Sequence, residues 1–126
     1  MHIFSGTLAL LLIATPLPAQ PSSPWPAVRE FGGATPLRLG SWAQFTDYPS
    51  DALARQEQGN VVVKFDIDAE GRPRNCTLDT SSGYPRLDAI PCRLIEKRAR
   101  FKPATSADGN PMPTKARYSI AFWTPE

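Results

Sequence analysis

From Asn60 to Asp68 the chain alternates, placing Val61, Val63, Phe65 and Ile67 on one side and Asn60, Lys64, Asp66 and Asp68 on the other, with Val62 the one apolar residue on the second side. A period of two is the signature of a strand with one buried face. Ala69-Glu70-Gly71 turns the chain, and Arg74 to Thr80 returns as its antiparallel partner, with Cys76 and Leu78 on the inward side. After the break at Ser81-Ser82-Gly83-Tyr84-Pro85 the period becomes helical. Leu87, Ile90, Leu94 and Ile95 gather on one side and Arg93, Glu96, Lys97 and Arg100 on the other. The pattern predicts a helix from an Asp88 N-cap to about Ala99. Pro91 is tolerated in its first turn, where a missing N–H has no intrahelical partner to lose. By phase Arg98 falls inside the apolar stripe, so its stem is expected to pack while its head reaches the strand ends.

A shorter helix is expected over Asp51 to Gln58. Tyr48-Pro49 leads in, Ser50 is the N-cap, Gly59 is the stop, and Ala52 and Leu53 form the inner face. Phe101 to Pro113 reads as an irregular crossing, and Tyr118 to Trp123 alternates again as a final strand. The sum is an α+β fold: a two-layer sandwich whose three-stranded antiparallel sheet is covered on one face by two helices. Its predicted core is Val61, Val63, Phe65, Ile67, Leu78, Leu87, Ile90, Leu94 and Ile120.

The 126 residues suffice for one domain. Leu8 to Ala14 is a short apolar run followed by Pro16, Pro18 and Ala19, so residues 1–19 read as a secretory signal peptide and the chain as exported. The alternative is an uncleaved segment that tethers the chain to the inner membrane. Residues 20–41 are rich in Pro and Gly and read as an extended arm, with Trp25, Phe31 and Leu37 as local tethers, ahead of a domain over residues 42–126.

Two cysteines behind an export signal imply an oxidising compartment, and Cys76 on the inward strand face meets Cys92 at the border of the helix stripe. A disulfide between them is expected. A net charge of +2 with no concentrated basic stripe argues against nucleic acid. The set Arg93, Lys97, Arg98, Arg100 and Lys102 reads as a solvated helix face. The only histidine is His2, within the leader, which removes Ser-His-Asp and Cys-His catalysis and His-dependent metal sites. No catalytic, metal or cofactor site is read, and the chain is expected not to be an enzyme. Asp66 to Gly71 imitates a calcium loop, but the twelfth position is Thr77 rather than Glu, so it reads as a hairpin turn.

The ordered landmarks Tyr48-Pro49, Gly59, Gly71, Leu87-Asp88 and Arg100-Phe101-Lys102-Pro103-Ala104 together resemble the C-terminal domain of TonB-family energy transducers. The resemblance implies the same sandwich and a protein-binding role in the periplasm. In that family the last strand takes up a short extended segment from the amino terminus of an outer-membrane transporter by β-augmentation. Carried over, the partner-binding residues are Tyr118, Ser119, Ile120, Ala121, Phe122 and Trp123, with Tyr48 and Leu53 flanking them. The mechanism uses the unpaired N–H and C=O groups of an edge strand. A full transducer adds a membrane helix and a long Pro-rich spacer. Here the apolar run is shorter than the roughly 20 residues of a membrane span, and the arm would reach only about 60 Å in polyproline form. The alternative implied is an envelope protein of structural or cell-wall-associated type, with peptidoglycan as its partner.

Overall fold

A computed structural model describes residues 23–124, so the expected signal peptide lies outside the described residues. The centre is β3, Gly59–Ile67, paired along its whole length with β8, Thr114–Phe122, from Gly59 opposite Phe122 to Ile67 opposite Thr114. On its other side runs β4, Pro73–Thr80. Because β3 is central, its inward residues Val61, Val63 and Ile67 have no exposure at all and Phe65 has 3%. Val62, on the opposite face, is buried as well, outside the main core cluster.

The expected helices are present but shorter. The first, α1 (Ser50–Ala54), ends early because Gln56 takes the left-handed conformation (φ 57°) and Glu57 N–H caps back to the Ala52 carbonyl at 2.9 Å. Gly59, read as the helix stop, has a different duty: a Cβ there would stand 2.6 Å from that of Ser82. The second helix is divided into α2 (Pro85–Asp88) and α3 (Pro91–Arg98), each opening on a proline. Asp88 lies inside α2, and its carboxylate accepts from the Ser82 N–H at 2.8 Å and the Ser82 hydroxyl at 2.7 Å, tying the helix to the preceding loop. The sandwich is as expected: the core lies between the sheet and these helices, with Leu87, Leu94 and Ile95 facing inward and Ile90 partly buried against it.

The edge strand and the crossing add detail to this picture. Leu78 stands opposite Val63 yet keeps 45% of its exposure, because β4 is an edge strand that the helices do not fully cover. Asn75 in the left-handed region (φ 56°) accompanies a bulge in β4. The crossing after α3 is not wholly irregular, since β5 (Arg100–Lys102) pairs with β2 (Thr35–Leu37) and β6 (Ala104–Thr105) with β7 (Pro111–Met112).

The largest difference concerns the arm. Arg29–Glu30 forms β1 and pairs with β8, which makes the sheet four-stranded in the order β1-β8-β3-β4. Phe31 then enters an aromatic cluster with Trp42, Phe101 and Tyr118, at ring separations of 6.1, 5.4 and 6.2 Å. Trp42 is completely buried and donates its indole N–H to the Leu37 carbonyl at 3.0 Å. Apolar rings offset the ordering entropy that the Pro-rich composition suggested would win. Phe31 is therefore a tether as expected, whereas Leu37 is held through its backbone with its side chain 47% exposed.

Cys76 and Cys92 are bonded, with a Cα separation of 5.5 Å, and join edge strand β4 to α3. Gly71 closes the β3–β4 hairpin at φ 84°, and a Cβ there would come within 1.9 Å of the Phe101 carbonyl oxygen, so no other residue fits. In the same turn Asp68 accepts from the Glu70 and Arg72 N–H groups, both at 2.9 Å, so its carboxylate holds the turn. Among the described residues no helix is long and apolar enough to cross a membrane.

Candidate functional site

The Ser119 N–H points away from β3 and donates to the Val28 carbonyl at 3.0 Å. Alternation along an antiparallel strand then turns the backbone groups of Arg117, Ser119, Ala121 and Trp123 outward, and those of Tyr118, Ile120 and Phe122 toward β3. The first half of this outer edge is not bare: Arg29 stands opposite Tyr118 and Glu30 opposite Arg117. Past Ser119 the covering strand ends, and the Ala121 N–H has no partner among the described residues. The open edge is thus the Ala121–Trp123 end.

Of the six residues expected to meet a partner, Tyr118, Ile120 and Phe122 are 7%, 7% and 4% exposed, so their side chains belong to the core. What this strand offers outside is backbone, together with the half-buried Ala121 and Trp123. Beside it runs a groove of about 200 Å³ between the segment Ala43–Tyr48 and the end of β8, lined also by Leu94. Tyr48 sits in its wall. Its ring meets Phe122 edge-on at 5.4 Å, and its hydroxyl donates to the Glu57 carbonyl. Burial, then the nearby Glu57 carboxylate, raise the Tyr48 phenol above its ordinary value, so it stays a donor. Leu53 is half-buried on α1 and does not line this groove.

Phe45 at the groove rim is 69% exposed, the most exposed large apolar side chain among the described residues. A single aromatic in a turn has no periodicity, so nothing in the sequence assigns Phe45 a role. Its 3-10 turn, Phe45–Asp47, is held by Arg98, whose guanidinium makes a two-pronged contact with Asp47 at 2.6 and 2.9 Å and also donates to the Trp42 carbonyl at 3.0 Å. The head of Arg98 therefore reaches this turn rather than the strand ends. The guanidinium hydrogen bonds first, then the Gln44 N–H, hold the Asp47 carboxyl below its ordinary value against the opposing effect of burial. A bidentate pair that also bonds a carbonyl fixes the groove wall in one geometry.

Several polar groups outside the groove are paired within the chain. On the open sheet face Lys115 pairs with Asp66 at 2.6 Å and Arg117 with Asp79 at 2.8 Å. Arg100 donates to the Ala99 and Glu96 carbonyls and, with Arg38 and Arg98, borders a separate cleft of about 480 Å³. The buried Glu57 carboxylate lies 3.2 Å from the Arg86 Nε, but the angle is poor and that oxygen has no hydrogen bond; the contact neutralises charge without satisfying the acceptor. Among the described residues no cluster of His, Cys, Asp and Glu is arranged to hold a metal ion.

No curated protein matches this sequence. Among solved structures, the solution NMR structure of the Pseudomonas aeruginosa TonB CTD superposes with a TM-score of 0.58 at 26% identity, covering 75% of this chain and 89% of that one. The sequence model described as Gram-negative bacterial TonB protein C-terminal matches residues 46–124, which span α1, β3, β4, the divided helix and β8 but not the residues that form β1. With the strands β3 and β4, the helices and the final strand β8 all inside that match, the chain belongs to the TonB C-terminal family.

Proposed function

We propose that this protein is a periplasmic docking module that takes up an extended peptide along the outer edge of β8, and that its partner is the amino-terminal segment of a TonB-dependent outer-membrane transporter. The observation that carries the reading is the pairing of open backbone at Ala121–Trp123 with an apolar groove and an exposed Phe45 beside it. An added strand draws affinity from main-chain hydrogen bonds and specificity from alternate side chains, which here would meet Phe45 and Tyr48. Family membership supports the choice of partner.

The structure identifies a clean test. Ala121→Pro removes an outward donor and leaves the β3–β8 ladder intact, as an edge strand tolerates. Ile120→Pro removes a donor that faces Val61 and should damage the sheet itself. Peptides from transporter amino termini are titrated against both variants and wild type, with folding checked by circular dichroism. Ala121→Pro should stay folded and bind about two- to tenfold more weakly, the effect of losing one well-formed hydrogen bond. Equal affinity in folded Ala121→Pro would refute augmentation at this edge.

A further inference from the structure

The residues that cover the first half of the β8 edge belong to the same chain and lie outside the span that matches the family. The Val28 carbonyl accepts from the Ser119 N–H at 3.0 Å, and the Val28 N–H donates to the Ser119 hydroxyl at 2.8 Å. Glu30 stands in register opposite Arg117. These are the positions that an incoming strand would take if it extended past Ala121 toward the start of β8. Both cannot occupy them together. We propose that Val28–Glu30 is an internal competitor: a short strand of the protein itself that caps the docking edge and has to leave before a partner can pair along its full length. The inference rests on the proposed use of this edge.

The cap is built to come off. β1 has only two residues and both are exposed. Its one ion pair among the described residues, Glu30 with Arg117 at 3.3 Å, joins side chains that are 63% and 42% exposed, and such pairs contribute little. Arg117 keeps Asp79 at 2.8 Å when Glu30 departs. The next residue is different. Phe31 packs against Trp42, Phe101 and Tyr118, and its carbonyl accepts from the Thr114 hydroxyl at 3.3 Å. The segment therefore divides sharply, with a weak strand up to Glu30 and a firm anchor from Phe31 onward. An anchored cap stays at high local concentration and recloses when the partner leaves.

Two proline variants in the full chain separate this idea from a general effect of proline. The Glu30 backbone faces Arg117, so Glu30→Pro removes a pairing donor from the cap without touching β8. Arg29 stands opposite Tyr118 at a site whose backbone groups point the other way, so Arg29→Pro should leave the cap closed. Amide hydrogen exchange followed by NMR reports the cap directly at Ser119, and transporter amino-terminal peptides are the binding probe. Glu30→Pro should speed exchange at Ser119 and tighten peptide binding about tenfold, as expected if the edge is free about a tenth of the time in wild type. Arg29→Pro should match wild type in both. Unchanged Ser119 exchange in Glu30→Pro, or faster exchange with unchanged peptide affinity, overturns the competitor and leaves the docking edge standing. Absence of peptide binding to wild type and to uncapped Glu30→Pro alike overturns the docking edge, and the competitor with it.

Discussion

Phe31→Ala tests whether the segment before Trp42 is part of the folded unit. The ring sits 5.4 Å from Phe101, 6.1 Å from Trp42 and 6.2 Å from Tyr118, in edge-on or tilted arrangements. Removing a fully buried Phe costs about 3–5 kcal/mol. Phe31 is only partly buried, which reduces the transfer contribution, but three aromatic contacts worth about 0.5–1.5 kcal/mol each are lost together. These partly overlapping effects give about 3 kcal/mol. In a domain of this size that lowers Tm by roughly 10–20 °C. The assay is urea and thermal unfolding followed by Trp fluorescence and circular dichroism. Leu37→Ala is the control, since that side chain is 47% exposed and its loss should cost under about 1 kcal/mol. A Phe31→Ala variant within about 0.5 kcal/mol of wild type would show that the segment is a loose arm after all, and the aromatic argument would fail.

Replacing Cys76 and Cys92 together by Ala opens a loop with a sequence separation of 16 and should cost about 3 kcal/mol by chain entropy, measured as a lower urea midpoint; no change would show that the cross-link does not restrain the unfolded chain. Asp47 is held below the ordinary carboxylate value of 3.8 chiefly by Arg98, so its contribution is complete above the unfolded value and is lost as pH falls through the folded one. The stability difference between wild type and Asp47→Asn should therefore be largest above about pH 4 and shrink in more acid solution. A difference that does not change with pH would refute the ion pair as its source.

Much of the fold was legible because local periodicity and burial coincide in it. The β3 alternation named Val61, Val63, Phe65 and Ile67 as core, and all four are buried. The facing positions of Cys76 and Cys92 followed from the same pattern of strand face and helix stripe. Where a residue had two possible duties, sequence assigned the commoner one. Gly59 looked like a helix stop, whereas its close approach to Ser82 explains it and Gln56 ends the helix. Leu78 has the correct phase for the core, but phase does not reveal whether a strand is central or at an edge.

The candidate site divides along the same line. Sequence alone determined the strands β3, β4 and β8, the helical stretches, the cross-link and the family to which they belong, because hydrophobic period, turn glycines and their order are written residue by residue. It also drew attention to the last strand and to Tyr48. Only the tertiary structure decided which parts of that strand are accessible, because accessibility depends on neighbours distant in the chain. Val28 lies 91 positions from Ser119, and Arg98 lies 51 from Asp47. A composition rich in Pro and Gly pointed to a loose arm; Phe31, packed on the rings of Trp42, Phe101 and Tyr118, anchors it so that the residues before it form a strand, and that strand lies on the edge a partner would use.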